Sequence, residues 1–307
     1  MTNPSTLPRR KRRAWLELFR VPNLFTVPGD PVAGMVLARA GGASAPLEFL
    51  AAAAGASVLL YMMGLALNDW ADQREDAAAR PNRPIPSGRL SSRAVLLACL
   101  LLTAGGILLG YLAGPAAAGT AALLALAVLF YDLLAKRIPV FGILVMGACR
   151  GLSLLLGAVA AGWRPHAPLV ADPVLAAAIA LTLYVAAFSR IAAGETGRRR
   201  LRFERWLPPL AVAAAAVAIP LITPTIAPGF LALILVLLAW TSWNAAKLGP
   251  EPEPPAVQRS IKACIMGMFV FQAALCGIHS PNGLLAAALI LMALPVSLAF
   301  ARRFYVT

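Results

Sequence analysis

The sequence predicts an all-α protein, a polytopic bundle of about ten transmembrane helices (a nine-span core plus one), and three observations carry that prediction. Of its 307 residues, 60% are hydrophobic and only 13% charged, which is more apolar surface than one soluble core can hide. Apolar segments of about 20 residues, the length needed to cross roughly 30 Å of hydrocarbon, recur from one end of the chain to the other. The basic residues fall almost wholly on one side of the implied membrane, as cytoplasmic loops require.

Residues 1–21 form a basic cytoplasmic segment carrying Arg9, Arg10, Lys11, Arg12 and Arg13, and residues 22–307 form a single transmembrane domain. The first span, 22–40, ends in Ala38-Arg39-Ala40 and so imitates a secretory signal, but Pro22, Pro28, Asp30 and Pro31 break up its apolar stretch and favour a retained helix. The second, 47–70, runs into an acidic cluster and a charged, turn-rich loop over 71–92. Spans 93–113 and 115–134 are joined tightly at Gly114 and Pro115, and the fifth, 138–161, starts after Lys136 and Arg137. The sixth span covers 173–193, followed by a basic loop over 194–205. Spans 206–222 and 228–247 come next, then a Pro/Glu linker from Gly249 to Pro255. The last two, 260–278 and 283–301, turn at Pro281-Asn282-Gly283.

With both termini and alternate loops inside, 24 of the 27 Lys and Arg residues are cytoplasmic, leaving Arg39 and Arg164 outside and Arg150 within the membrane. Topology thus accounts for the net charge of +14, and nucleic acid is excluded as a partner. Cys99, Cys149, Cys264 and Cys276 lie in apolar spans without metal-ligand spacing and read as small hydrophobes. His166 and His279 sit on outer loops without companion ligands. No separate soluble domain or short-period repeat interrupts the pattern.

The chemistry is expected on the inner face. The second span ends in Asn68-Asp69-Trp70-Ala71-Asp72-Gln73-Arg74-Glu75-Asp76, four of the thirteen acids in nine residues. On a continuing helix Asn68, Asp72 and Asp76 recur at i, i+4 and i+8, with Asp69 three before Asp72, forming one oxygen-lined stripe. Mg²⁺ favours such a stripe, taking one or two carboxylates plus waters and filling its remaining positions with phosphate oxygens. The bland alternative is a solvated helix end balanced by Arg74, Arg80 and Arg83. Against it, the negative end of a helix macrodipole disfavours further negative charge.

Downstream runs Arg80-Pro81-Asn82-Arg83-Pro84-Ile85-Pro86-Ser87-Gly88, a loop stiffened by three prolines. Together the two segments resemble the signature of the UbiA-type intramembrane prenyltransferases, an NDxxDxxxD run followed by an RPxRPIPSG loop. Tyr131-Asp132-Leu133-Leu134-Ala135-Lys136-Arg137 is similar to that family's YxxxKR segment, and Arg20-Val21-Pro22-Asn23 to the opening of its first helix.

The resemblance implies a UbiA-like helical bundle around a lipid-open cavity, Mg²⁺ as cofactor, and transfer of an isoprenyl group from a prenyl diphosphate to an unknown small acceptor. On that reading Asn68, Asp69, Asp72, Asp76 and Glu195 are the metal ligands. Arg83, Lys136, Arg137 and Arg190 would hold the substrate diphosphate, with Asp72 and Tyr131 as the catalytic pair. Tyr131 would stabilise an allylic cation through its ring face. The enzyme would sit in the inner (plasma) membrane, with active-site face and both termini cytoplasmic and membrane lipid around it. The alternative is a non-catalytic binding or transport protein for prenyl diphosphates or isoprenoid lipids.

One departure stands out. The family's second Asp-rich motif, at the end of the sixth span, is replaced by Phe188-Ser189-Arg190-Ile191-Ala192-Ala193-Gly194-Glu195-Thr196-Gly197-Arg198-Arg199-Arg200, with Glu195 its sole acid. With the extra span and the closing Arg303-Phe304-Tyr305-Val306-Thr307, this resembles the EboC-like subgroup. Arg190 could there replace a second metal, its planar fork neutralising diphosphate directly, or be an ordinary positive-inside arginine. Inside the bilayer, Asp30 and Arg150 are expected to pair with each other rather than serve separate substrate-binding roles.

Overall fold

The computed structural model of the protein describes residues 7–165, 168–193, 200–223, 226–278 and 281–304. Glu195, His166, His279 and Tyr305 to Thr307 lie outside the described residues. The described chain is helical: α1 (Leu7–Leu18), α2 (Val21–Leu24), α3 (Gly29–Ala40), α4 (Leu47–Ala71), α5 (Gln73–Ala79), α6 (Ser92–Leu112), α7 (Pro115–Leu133), α8 (Pro139–Ala160), α9 (Pro173–Ala192), α10 (Leu207–Ile222), α11 (Pro228–Leu248), α12 (Pro254–Cys276) and α13 (Pro281–Phe304).

Nine of these, α4 and α6 to α13, contain stretches long and apolar enough to cross a bilayer. The exposed leucines of α6, Leu97, Leu100, Leu101 and Leu108, mark surface that lipid must cover. The first expected span, 22–40, is not one helix. Pro22, Pro28 and Pro31 divide it into α2, a turn, and α3, whose 12 residues reach only about 18 Å. A broken segment survives at membrane depth only if protein surrounds it. Here α3 packs against α4, α8, α9, α12 and α13, with Asp30, Ala33, Gly34, Met35 and Leu37 buried.

Glycines let α3 and α8 touch backbone to backbone. A Cβ at Gly34 would fall 1.9 Å from the Leu154 carbonyl oxygen, and one at Gly157 would fall 2.0 Å from that of Pro31. Proline begins α7, α8, α9, α11 and α12, where its missing N–H costs nothing. Asp172 caps α9 by accepting from the Val174 N–H at 2.8 Å, and Ser91 caps α6 through the Ala94 N–H at 3.2 Å. Successive helices pack in order from α6 to α13, and α4 closes against α6, α7 and α8.

Asp30 and Arg150 meet at the centre. Arg150 Nε lies 2.9 Å from Asp30 Oδ2, and Arg150 Nη2 donates to the Thr26 carbonyl at 2.9 Å. Gln272 Nε2 donates to Asp30 Oδ1 at 2.6 Å and to the Thr26 carbonyl at 2.8 Å. The Arg150 guanidinium also lies 5.7 Å from the Tyr61 ring centroid.

Candidate functional site

At the end of α4 the helix pauses at Asp72, with φ −90° and ψ 5°, before α5 resumes it. Hydrogen bonds of the i→i−4 kind cross the pause, Asp72 N–H to Asn68 O at 3.0 Å and Asp76 N–H to Asp72 O at 2.9 Å. Asn68, Asp72 and Asp76 therefore stay stacked about one turn apart. Their carboxylates, however, answer to different cations.

Arg83 Nη1 donates to Asp76 Oδ2 at 2.6 Å and to Asp69 Oδ1 at 3.2 Å, so one guanidinium ties the two most buried acids of the NDxxDxxxD run, 6% and 5% exposed. Arg20 Nη2 reaches the same Asp69 oxygen at 3.2 Å. Lys136 Nζ donates to Asp72 Oδ1 at 2.5 Å, joining the turn after α7 to the end of α4. Tyr131 is half-buried and feels the charges of Asp132, Asp72 and Arg20. Asn68 is also half-buried, whereas Arg137 is exposed.

The proline loop is held by its own backbone. Turns close from Arg83 N–H to Arg80 O, Ser87 N–H to Arg83 O and Gly88 N–H to Ile85 O, each at 3.0 Å. Gly88 takes φ +72°, a conformation that side chains other than glycine's resist. Arg89 fastens the loop to α1, donating to Glu17 Oε2 at 2.5 Å and to the Asn82 carbonyl at 2.6 Å. Between α1 and the loop opens a cleft of about 910 Å³ whose lining includes Arg20, Asp69, Arg80, Arg83 and Arg89. Its balance is basic, which suits an anion.

Arg190 goes elsewhere. Its Nη2 lies 3.3 Å from Glu204 Oε1, an ion pair at the end of α9 separate from those that join Asp69, Asp72 and Asp76 to Arg20, Arg83 and Lys136. Two residues without a role in the sequence reading belong to the cluster. Arg20 is the only non-glycine among the described residues at positive φ, 44°, and that left-handed turn between α1 and α2 accompanies its reach to Asp69. Asp132 is the sole acid of α7 and is 3% exposed. Its signal was present in the sequence as an ionisable residue inside a span. Four residues, not three, separate Tyr131 from Lys136, so the position one helical turn before the lysine is Asp132.

The donor set suits Mg²⁺ in chemistry, being hard oxygen at the membrane boundary, with Asp72 the most exposed of the three aspartates. Among the described residues, no three His, Cys, Asp or Glu side chains converge into a closed metal cage.

Residues 31–271 match the family model of the UbiA prenyltransferase family. The chain belongs to that family. Among curated proteins, the digeranylgeranylglyceryl phosphate synthase of Ignicoccus hospitalis is 35% identical over 150 residues, 49% of this chain and 48% of that protein. The same enzyme of Methanothrix thermoacetophila is 32% identical over 146 residues, 48% of this chain and 54% of that protein. The chain thus spans about half the length of the curated relatives it matches. A solved digeranylgeranylglyceryl phosphate synthase superposes with a TM-score of 0.62 at 20% identity, covering 86% of this chain and 97% of the other. At that identity the likeness establishes the fold, an integral membrane UbiA-type helical bundle.

Proposed function

We propose that the chain is a Mg²⁺-dependent prenyltransferase that moves an isoprenyl group from a prenyl diphosphate to a small acceptor. One observation carries this reading: the carboxylates of the NDxxDxxxD run are interlocked with the cations Arg20, Arg83 and Lys136, and Asp69, Arg20 and Arg83 of that network line a basic cleft. When bound, Mg²⁺ supplies Lewis-acid stabilisation of the departing diphosphate, and Asn68, Asp69, Asp72, Asp76 and Glu195 are the residues proposed to hold it. Lys136, Arg137 and Arg83 hold the diphosphate electrostatically, and Arg190 contributes only by leaving Glu204. Tyr131 presents its ring to the allylic cation.

The relatives' name, a digeranylgeranylglyceryl phosphate synthase, supports a glyceryl phosphate type of acceptor, and the arginines of the cleft favour an anionic one. The solved UbiA homologue of Archaeoglobus fulgidus is bound to DMAPP and Mg²⁺, which supports both the donor class and the metal. The distribution of basic residues supports an inner-membrane location with the site and both termini cytoplasmic.

A second reading, a binder or transporter of prenyl diphosphates or isoprenoid lipids without transfer, is favoured by the stretch 188–200, where Glu195 is the only acid. The EboC-like subgroup rests on that same departure alone, since nine helices long enough to cross, and not ten, stand among the described residues, and it draws nothing from the relatives named above. Release of diphosphate from labelled prenyl diphosphate decides between the readings. The enzyme reading expects Mg²⁺-dependent release that falls at least about 100-fold in Asp72→Ala. Tight binding with no release under any acceptor would select the binder.

A further inference from the structure

At the end of α7, Asp132 turns inward while Leu133 and Leu134 after it are exposed. Its carboxylate faces α4. Oδ2 lies 4.0 Å from where a Cβ would stand at Gly64, one turn before Asn68 and two turns before Asp72. Asp132 therefore continues, from the neighbouring helix, the column of oxygen-bearing side chains that Asn68 and Asp72 begin.

The groups acting on this carboxylate come from several elements: Lys136 after α7, Asp72 and Asp69 from α4, and Arg20 from the turn before α2. Cys99 of α6, Cys149 of α8 and its neighbour Tyr131 feel its charge. Among the described residues it takes no hydrogen bond and forms no ion pair. A carboxylate so enclosed and without a donor either takes up a proton or is completed by a cation. Lys136, already bonded to Asp72, is the cation that acts on it most strongly.

We infer that Asp132 is a further carboxylate ligand, supplied by α7, for the divalent cation that joins Asp72 to the substrate diphosphate. The inference rests on the prenyl-diphosphate reading above. On this view Lys136 neutralises Asp72 and Asp132 in the free protein and moves to the diphosphate when the metal takes its place. The acid missing after the sixth span is then met from the fourth span.

The test is Mn²⁺ binding by the full chain purified in detergent, read by electron paramagnetic resonance with inorganic diphosphate present. The wild type, Asp132→Asn and Asp72→Asn are compared. Asp132→Asn should weaken Mn²⁺ binding by about tenfold or more, at least the effect of losing a supporting group beside a metal. If Asp72→Asn loses Mn²⁺ and Asp132→Asn binds as wild type, this inference fails and the metal–diphosphate reading stands. If the wild type binds no Mn²⁺, both fail. Should Asp132→Asn not fold, Asp132→Cys gives the answer, because a thiolate ligand shifts preference from Mn²⁺ towards Cd²⁺ relative to wild type. An unchanged preference overturns the inference.

Discussion

Removing the Arg150 guanidinium should cost this protein more than any single lipid-facing change. Asp30 has 0% side-chain exposure and Arg150 8%, with 2.9 Å between Nε and Oδ2. Arg150→Met keeps most of the buried stem and deletes the charge. Asp30 is then left with neutral donors, chiefly the Gln272 amide 2.6 Å from Oδ1, and Oδ2 accepts no hydrogen bond. Orphaning one member of a buried pair costs about 3–5 kcal/mol, whereas replacing both can be close to neutral. At about 2–4 °C per kcal/mol for a chain of this size, the melting temperature should drop by roughly 6–20 °C. Asp30→Asn/Arg150→Met together should recover much of that loss, giving a coupling of about 2 kcal/mol in a double-mutant cycle. The assay is thermal unfolding in detergent with a fluorogenic maleimide, because Cys99, Cys264 and Cys276 are buried and react only as the fold opens. Arg150→Met melting within about 2 °C of wild type, or a cycle without coupling, would refute the pair as a structural brace. Normal stability with lost substrate affinity would instead give the two residues separate substrate-binding roles.

Two further perturbations probe the brace and the site. Gly157→Ala places a Cβ 2.0 Å from the Pro31 carbonyl oxygen and 2.4 Å from its Cα, backbone atoms that cannot step aside, so it should lower stability by about 1–3 kcal/mol in the same unfolding assay. Gly119→Ala, with nothing within 4 Å, should melt no lower than wild type. Arg83→Ala removes the guanidinium shared by Asp69 and Asp76, and should lower the melting temperature and raise the apparent KM for prenyl diphosphate together. Arg83→Lys should restore little of either, since a single ammonium cannot span both carboxylates as the planar fork does; full rescue in a diphosphate-release assay would count against the bridge.

Much of this architecture was legible because membrane physics writes it in simple units. Span length and basic asymmetry each locate helices independently of tertiary contacts, and nine of the ten expected spans stand as helices long enough to cross. The first was misjudged because hydropathy is blind to backbone breaks. Pro28 and Pro31 were visible, yet the apolar count over 22–40 resembles a full span, while the chain is two short helices enclosed by α4, α8 and α12. Asp30 and Arg150 were legible as partners because two opposite charges at membrane depth have few alternatives. The acidic stripe was legible in register and not in pairing: spacing stacks Asn68, Asp72 and Asp76, but only the folded loop brings Arg83 onto Asp69 and Asp76. Arg190 illustrates the same limit, because Glu204, fourteen residues on, returns to it after a loop that spacing cannot fold. Asp132 is not marked by its motif, whose pattern fixes only the tyrosine and the basic pair.

The pairing pattern bears on how the proposed substrate would enter. Three of the four cations proposed to hold diphosphate are already engaged by a carboxylate: Lys136 by Asp72, Arg83 by Asp69 and Asp76, and Arg190 by Glu204. Mg²⁺ arriving alone must compete with an ammonium for Asp72, and a diphosphate arriving alone must compete with carboxylates for Lys136 and Arg83. Entering together, they would allow an exchange of partners, in which Asp69, Asp72 and Asp76 would be free to hold the metal while Lys136 and Arg83 would hold the phosphate oxygens, so that charges would be compensated on both sides. The proline loop and its Glu17–Arg89 tether keep Arg83 close through that exchange, so the cost of gathering the site is met in folding rather than at each binding event.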